Sequence, residues 1–396
     1  MNTSTLPKSS LKIRGIQYRD LNPISALIQQ SLSIQFNTRQ AILLEKIQKY
    51  QSFYGLLQLS KLLPIPLSGD FYIYVAEKDE QIQGLIQIAP FNHNRSTWKV
   101  EQVLINYNTS ISHLLIGNRS IGSQLLRHCF EKIWEARTWI LEVNINEKNT
   151  LGLYRENGFQ PLAQMTYWLC QPEILEKLAQ KEPNLPNLLP VSNADAKLLY
   201  QLDCVSMPPM LRQIFDRHLE DFKVGFGSFI CQKIQAWLNH TEEISAYVFE
   251  PQRKAAIGYF KLYLCKNGTK PHEAILTVHP AYTWLYPKLI SQMATVIQTL
   301  PPQSLLVSSS DYQPEREEYL EKLGAERINQ NLLMSRSVWH KLREAKPLES
   351  LNLPEVLNGL KPVHNPIPTP WIKSWLESTY NSSSSTNHHD VNHHPE

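Results

Sequence analysis

The stretch GNRSIGSQLL, residues 117–126, decides how this chain is read. It opens a run in which Ile121, Leu125, Leu126, Cys129 and Ile133 recur on one helical face, which predicts a helix over residues 121–137. The free N–H groups of such a helix start point toward an anion placed there, and the helix dipole adds attraction. Gly117 and Gly122 let the backbone approach a phosphate closely. Ser120 and Ser123 offer hydroxyl donors, and Arg119 offers charge. An ordinary Ser-capped helix would use the same residue types, so the flanking segments carry the decision.

Upstream, residues 71–77 and 82–88 alternate around the turn 78–81 and read as a hairpin. Residues 97–107 add a third antiparallel strand. Before them, residues 11–18 read as a first strand, and Asp20 caps a helix bearing Ile24, Leu27, Ile28 and Leu32. A second helix is expected over residues 40–63, ended by Pro64 and Pro66. Downstream, residues 139–143 read as a strand and 150–157 as a short helix stopped by Gly158. Residues 165–170 read as the strand that closes the unit.

The same order then restarts. Gly84 in IQGLIQI matches Gly258 in AIGYFKLY, 174 residues later, and Gly158 matches Gly324, 166 residues later. The near-equal offsets predict an internal duplication. The expected organisation is a first domain over 11–170, a linker over 171–186, a second domain over 187–340, and an extension over 341–396 with a disordered His/Ser-rich tail.

Composition narrows the function classes. The 396 residues carry 39 Lys+Arg against 36 Asp+Glu, a net charge of +3, which excludes a strongly basic nucleic-acid binder. Aromatic residues do not interleave with basic runs, so no base-stacking groove is expected. The five cysteines include no CxxC pair, so neither a disulfide framework nor a metal site is expected. His388, His389, His393 and His394 in the tail read as solubilising polarity. The start lacks a signal-peptide pattern and no run is long enough to span a membrane, so a soluble, cytoplasmic protein is expected.

Together, the 117–126 loop and helix, Leu141-Glu142-Val143, Asn149, and Leu153-Tyr154 through Gly158-Phe159 resemble the GNAT acetyltransferase superfamily. The resemblance covers residues 13–170, with Val143 eleven residues before Tyr154 as the family spacing requires. Against the family pattern, Gly117 stands at the usual Gln/Arg position, Ser120 at the first loop glycine, and Glu147 at a usual Asn. The resemblance implies an α/β (α+β) fold of two GNAT-like domains, each a mixed, mainly antiparallel twisted sheet flanked by helices. It implies acetyl-CoA as co-substrate, bound by Gly117, Asn118, Arg119, Ser120, Ile121, Gly122, Ser123 and Asn149. The backbone of Val103, Leu104 and Ile105 would line the acetyl group and pantetheine arm.

The implied reaction is direct acetyl transfer to a primary amine on a protein or small molecule. Tyr154 matches the tyrosine that protonates the leaving thiolate, and a phenol with pKa near 10 suits that task. Packing between helix and sheet is the plainer role for the same tyrosine. Either Glu101 or Glu142 would take the proton from the amine, and His128 reads as a surface residue. In the second domain the matching loop, from His279, has no glycine and two prolines, and Leu320 stands where Tyr154 does. That copy reads as degenerate, a support or a dimerisation surface, with a homodimer possible. The alternatives are a non-catalytic acyl-CoA-sensing or protein-interaction module, and a transferase using another acyl or aminoacyl donor.

Overall fold

The computed structural model describes residues 11–34, 44, 72–106, 120–181, 183–225 and 240–338. The helix expected over 40–63, loop residues Gly117, Asn118 and Arg119, and the C-terminal extension with its histidines lie outside the described residues. The first half runs β1 (Lys12–Gly15), a 3-10 turn (Tyr18–Asp20), α1 (Leu21–Ile34), β2 (Tyr72–Lys78), β3 (Gln81–Pro90), β4 (Thr97–Ile105), α2 (Ile121–Lys132), β5 (Thr138–Asn144), α3 (Lys148–Glu156) and β6 (Gln160–Cys170). Residues 172–179, within the expected linker, form α4 (Pro172–Ala179). The second half runs β7 (Leu188–Pro190), a 3-10 turn (Asn193–Asp195), α5 (Ala196–Ser206), α6 (Pro209–Phe215), a 3-10 turn (Leu219–Phe222), β8 (Thr241–Glu250), β9 (Ala255–Cys265) and β10 (His272–Val278). A 3-10 turn (Pro280–Tyr282), α7 (Leu285–Ile297), β11 (Leu305–Ser310), α8 (Pro314–Leu323) and β12 (Glu326–Ser337) complete it.

The duplication is visible in irregular details, which chance does not repeat. Each half enters its first helix through a 3-10 turn ending in an aspartate, Asp20 and Asp195, whose carboxylate accepts the N–H of Gln17 or Ser192. Each first hairpin carries a β-bulge, at Gln83 and at Ile257, 174 residues apart. Both bulged carbonyls accept an N–H from just past the third strand, Asn106 N at 2.8 Å and His279 N at 2.9 Å.

The strands form one sheet of twelve, ordered β1-β2-β3-β4-β5-β12-β6-β11-β10-β9-β8-β7. Among the described residues, only β4–β5 and β10–β11 pair in parallel. The closing strands are exchanged: β12 lies beside β5 of the first half, and β6 lies beside β11 of the second. The expectation that residues 165–170 close their own unit is therefore corrected. A strand's own residues set which of its faces is buried but not which edge it joins, so local pattern does not select between partners. The exchange carries side chains with it. Arg336 of β12 donates to the Asn157 carbonyl and lies 4.3 Å over the Phe130 ring, inside the first half. The two halves thus belong to one compact unit.

Core residues divide by strand parity. On one face, α2 and α3 bury Leu125, Leu126 and Leu153 against Trp98, Trp139 and Met334, while α4, α7 and α8 cover the second half. On the other, α1 buries Ile24 and Ile28 against Val75 and Leu85, α5 packs on Tyr247, and α6 covers Ala163 and Leu333 at the exchange. No helix among the described residues is long and apolar enough to cross a membrane.

One ion-pair cluster fixes the sheet's first edge. Arg14 of β1 binds buried Asp20 at 2.6 Å and Glu77 of β2 at 2.7 Å. Burial pushes the Asp20 carboxyl up, but hydrogen bonds from Arg14 and Gln17 outweigh it, and the pKa lies below the ordinary value. The Arg14 hydrogen bond lowers Glu77 as well. Groups with depressed pKa stabilise the fold above the carboxylate range and lose that contribution as pH falls through it. Arg14→Met is expected to cost about 3 kcal/mol at neutral pH by leaving buried Asp20 only the Gln17 N–H and the more distant Arg19. Urea melts check this, and the gap from wild type should shrink below about pH 4.

Candidate functional site

The site is built by β4. Its pairing with β3 slips between Gln102 and Val100, leaving Glu101 as an extra, bulged residue. Its parallel pairing with β5 ends at Val100↔Leu141, so both strands continue without pairing to one another. Beyond that point β5 pairs with β12 and β4 with β3, and the edge of β4 over 101–105 faces a fork. A bulge increases local twist and turns a strand away from its neighbour, which is why the fork begins where it does. Unpaired peptide groups along such an edge need partners. They are suited to an extended, amide-containing ligand laid in like a strand. Val103 and Ile105 lean toward α2, whereas Leu104 belongs to the core under α1.

α2 is seated at the mouth of this fork by glycines. A Cβ on Gly84 would stand 2.9 Å from the Leu104 carbonyl oxygen and 3.2 Å from Ile121 Cγ2. A Cβ on Gly122 would meet Leu153 Cδ2 at 2.7 Å and Ile105 Cδ1 at 3.3 Å. The helix start is thereby wedged against β3, β4 and α3. Ser120 is the N-cap, its Oγ accepting from Ser123 N at 3.1 Å. Ser120 Oγ also bonds Ser123 Oγ at 2.9 Å, and Ser123 Oγ accepts from Asn157 Nδ2 at 2.8 Å. Both serines are buried, and their hydroxyls join the start of α2 to Asn157 just past α3. The N–H groups of Ile121 and Gly122, in the first turn, remain as donors toward the loop side. Gly84→Ala is expected to destabilise the chain by about 1–3 kcal/mol, since the opposing atom is backbone and cannot move aside. A thermal melt against wild type measures it.

The face opposite α2 carries the carboxylates. Glu101 pairs with Lys99 at 3.2 Å. Glu142, between core residues Leu141 and Val143, points to this face and accepts a 2.6 Å hydrogen bond from Tyr167 Oη of β6. Beside them lies a buried amide pair that sequence reasoning did not single out. Gln102 Nε2 donates to Gln87 Oε1 at 2.9 Å, and Gln102 Oε1 is buried with no hydrogen-bond partner. Two glutamines fifteen residues apart on alternating strands give no sequence signal until the hairpin register aligns them. Tyr154 is 4% exposed, its ring 5.7 Å from Phe159 in an edge-on contact within the core that includes Ile121 and Val143. Asn149 is exposed in the first turn of α3. His128, read as a surface residue, is half-buried with its ring 5.0 Å from Tyr74, and burial lowers its pKa.

The second half has the frame of this site but not the opening. Pairing of β10 with β11 ends at Ala274↔Val307, the positions equivalent to Val100 and Leu141. β10 pairs with β9 without a bulge. The fork is stitched by Arg316 of α8, which donates to the Leu276 carbonyl on β10 at 2.7 Å and the Ser308 carbonyl on β11 at 3.1 Å. Arg316 is buried and lies 5.4 Å from the Tyr286 ring centre. Thr150 holds the equivalent place in the first half, 166 residues earlier, and is too short to span the gap.

No family model and no curated relative matches this sequence. Solved structures do match. A tandem GNAT protein from the clavulanic acid biosynthesis pathway aligns with TM-score 0.53 and 11% identity, over 84% of this chain and 100% of its own. A GCN5-related N-acetyltransferase from Sphaerobacter thermophilus aligns with TM-score 0.50 and 13% identity, over 84% and 97%. At such identities the likeness shows the fold, which is a tandem GNAT fold, as the sequence resemblance implied.

Proposed function

We propose that this protein is an acyl-CoA-dependent N-acyltransferase, with acetyl-CoA as acyl donor and a primary amine as acceptor, working from its first half. The observation that carries the reading is the bulged, unpaired edge of β4 over residues 101–105, present in the first half and replaced by Arg316 in the second. Free peptide groups on that edge fit the amides of a pantetheine arm. The Ile121 and Gly122 N–H groups fit its phosphates, and Gly117, Asn118 and Arg119 are proposed as further phosphate-binding residues from the sequence. Asn149 stands ready to contact the same arm from α3.

When bound, acetyl-CoA supplies an activated acyl group. The remaining tasks fall to the chain. Glu142 Oε or Glu101 Oε removes the ammonium proton, directly or through water, on the face opposite α2. Tyr167 orients Glu142. Gln102 Oε1, which lacks a donor, accepts an amine N–H and aims the nitrogen at the fork. Tyr154 Oη returns a proton to the departing sulfur.

Calorimetric titration of acetyl-CoA into the full chain tests this. Micromolar binding, about −8 kcal/mol, is expected, followed by CoA release when primary amines are supplied. No binding by folded protein would move the first half to a non-catalytic role.

A further inference from the structure

The second half, closed to an acyl donor, keeps an open pocket of about 330 Å³ on the face that carries Gln87 and Gln102 in the first. That volume lies at the small end of small-molecule sites. Its floor is β9, where Tyr259 and Lys261 stand at the positions of Leu85 and Gln87, 174 residues earlier. In the first half Leu85, the counterpart of Tyr259, belongs to the apolar core beneath α1. The charged, aromatic floor is thus a difference between the halves, since Leu85 and Gln87 stand where Tyr259 and Lys261 do.

Its polar groups are specific. Asp203 of α5 is 9% exposed and is held by Arg217 at 2.9 Å through Oδ1, while among the described residues no hydrogen bond reaches its Oδ2. Burial raises the Asp203 pKa, and Arg217 does not fully offset it, so this carboxylate is under-compensated. Oδ2 of this half-enclosed carboxylate keeps its capacity to accept from a donor that enters the pocket. Lys261 bonds Glu243 at 2.7 Å and lies 5.2 Å from the Tyr263 ring centre. An ammonium has three donors, so Lys261 retains capacity for a second acceptor. Tyr259, Tyr263 and Phe91 supply aromatic walls, the last brought in from the β3–β4 hairpin of the first half.

We propose that this pocket binds a free amino-acid-like zwitterion, its ammonium on Asp203, its carboxylate on Lys261 and its side chain against the aromatic walls. Each protein charge already has one partner, so the pocket is close to neutral when empty. A ligand carrying both charges compensates both sites, whereas one with a single charge leaves an added charge unbalanced in a part-buried space. The second half is then a ligand-binding module fused to the first, and this holds whatever chemistry the first half performs.

The test is a thermal-shift titration of the full chain with each standard L-amino acid, then with analogues of the best binder lacking the amine or the carboxylate. At least one amino acid should raise Tm in a saturable way, following its Kd, and each truncated analogue should bind about tenfold more weakly or worse, a loss of at least ~1.4 kcal/mol. Asp203→Asn should weaken binding by a similar factor. Ser245→Leu, opposite Lys261 on β8, should block the floor without removing a charge. Its ligand-free melt shows whether the fold is kept. Absence of any shift at millimolar amino acid, equal binding of the analogues, or unchanged binding in a folded Ser245→Leu protein would overturn the proposal. Acetyl-CoA titration is expected to be unaffected by either variant, which separates this proposal from the reading of the first half.

Discussion

Tyr154→Phe is expected to lower turnover by about 10²–10⁴-fold, the usual contribution of a positioned proton donor. Acetyl-CoA affinity by calorimetry should change little, and CoA release in the presence of amine is the measured rate. The Tyr154 ring is almost wholly buried and packs edge-on against Phe159, a contact that phenylalanine keeps. A phenol near pKa 10 sits just above a thiol, so proton transfer to a leaving thiolate is nearly balanced in energy. Equal turnover in the variant would leave Tyr154 a packing residue, the role its equivalent Leu320 has in the core of the second half.

The second large effect concerns the exchanged strands. A chain ended after residue 325, lacking β12, is expected to lose the folded first half altogether, and so is an isolated fragment of residues 1–175. Removing β12 strips partners from both β5 and β6 along their length, over Thr138–Asn144 and Gln160–Leu169. It also takes Met334 from the core and Arg336 from its seat on Phe130 and Asn157. Two newly opened sheet edges with an incomplete core favour association over folding. Circular dichroism and a cooperative melt of the 1–175 fragment are the measurements. A sharp transition with acetyl-CoA binding would show that the first half can close on its own β6, as the linear order suggests.

These two predictions differ in where their information lies. Tyr154 was found from its neighbours in sequence, Leu153 before it and Gly158-Phe159 after it, because a helix end and its stop signal are local. Gly84 and Gly258 were likewise visible as a repeat anchor, but their role was not. Only with α2 and α7 in place is it clear that a side chain there would strike Leu104 and Ile121, or Leu285 and Leu289. The bonds of Ser120 and Ser123 are hidden for the same reason: a hydroxyl beside a helix start gives no sign in sequence that Asn157, thirty-four residues on, will donate to it.

The sequence by itself determined the type and order of nearly every described element, the duplication, and the fold of each half. Hydrophobic period, glycine stops and proline breaks act over a few residues and survive without knowledge of partners. Tertiary structure alone decided which half each closing strand completes, where β4 bulges at Glu101, and that Arg316 shuts one fork while Thr150 leaves the other unspanned. Those outcomes depend on register and on contacts between residues far apart in the chain. A local pattern does not name the edge that a strand will join, and only the filled core decides it.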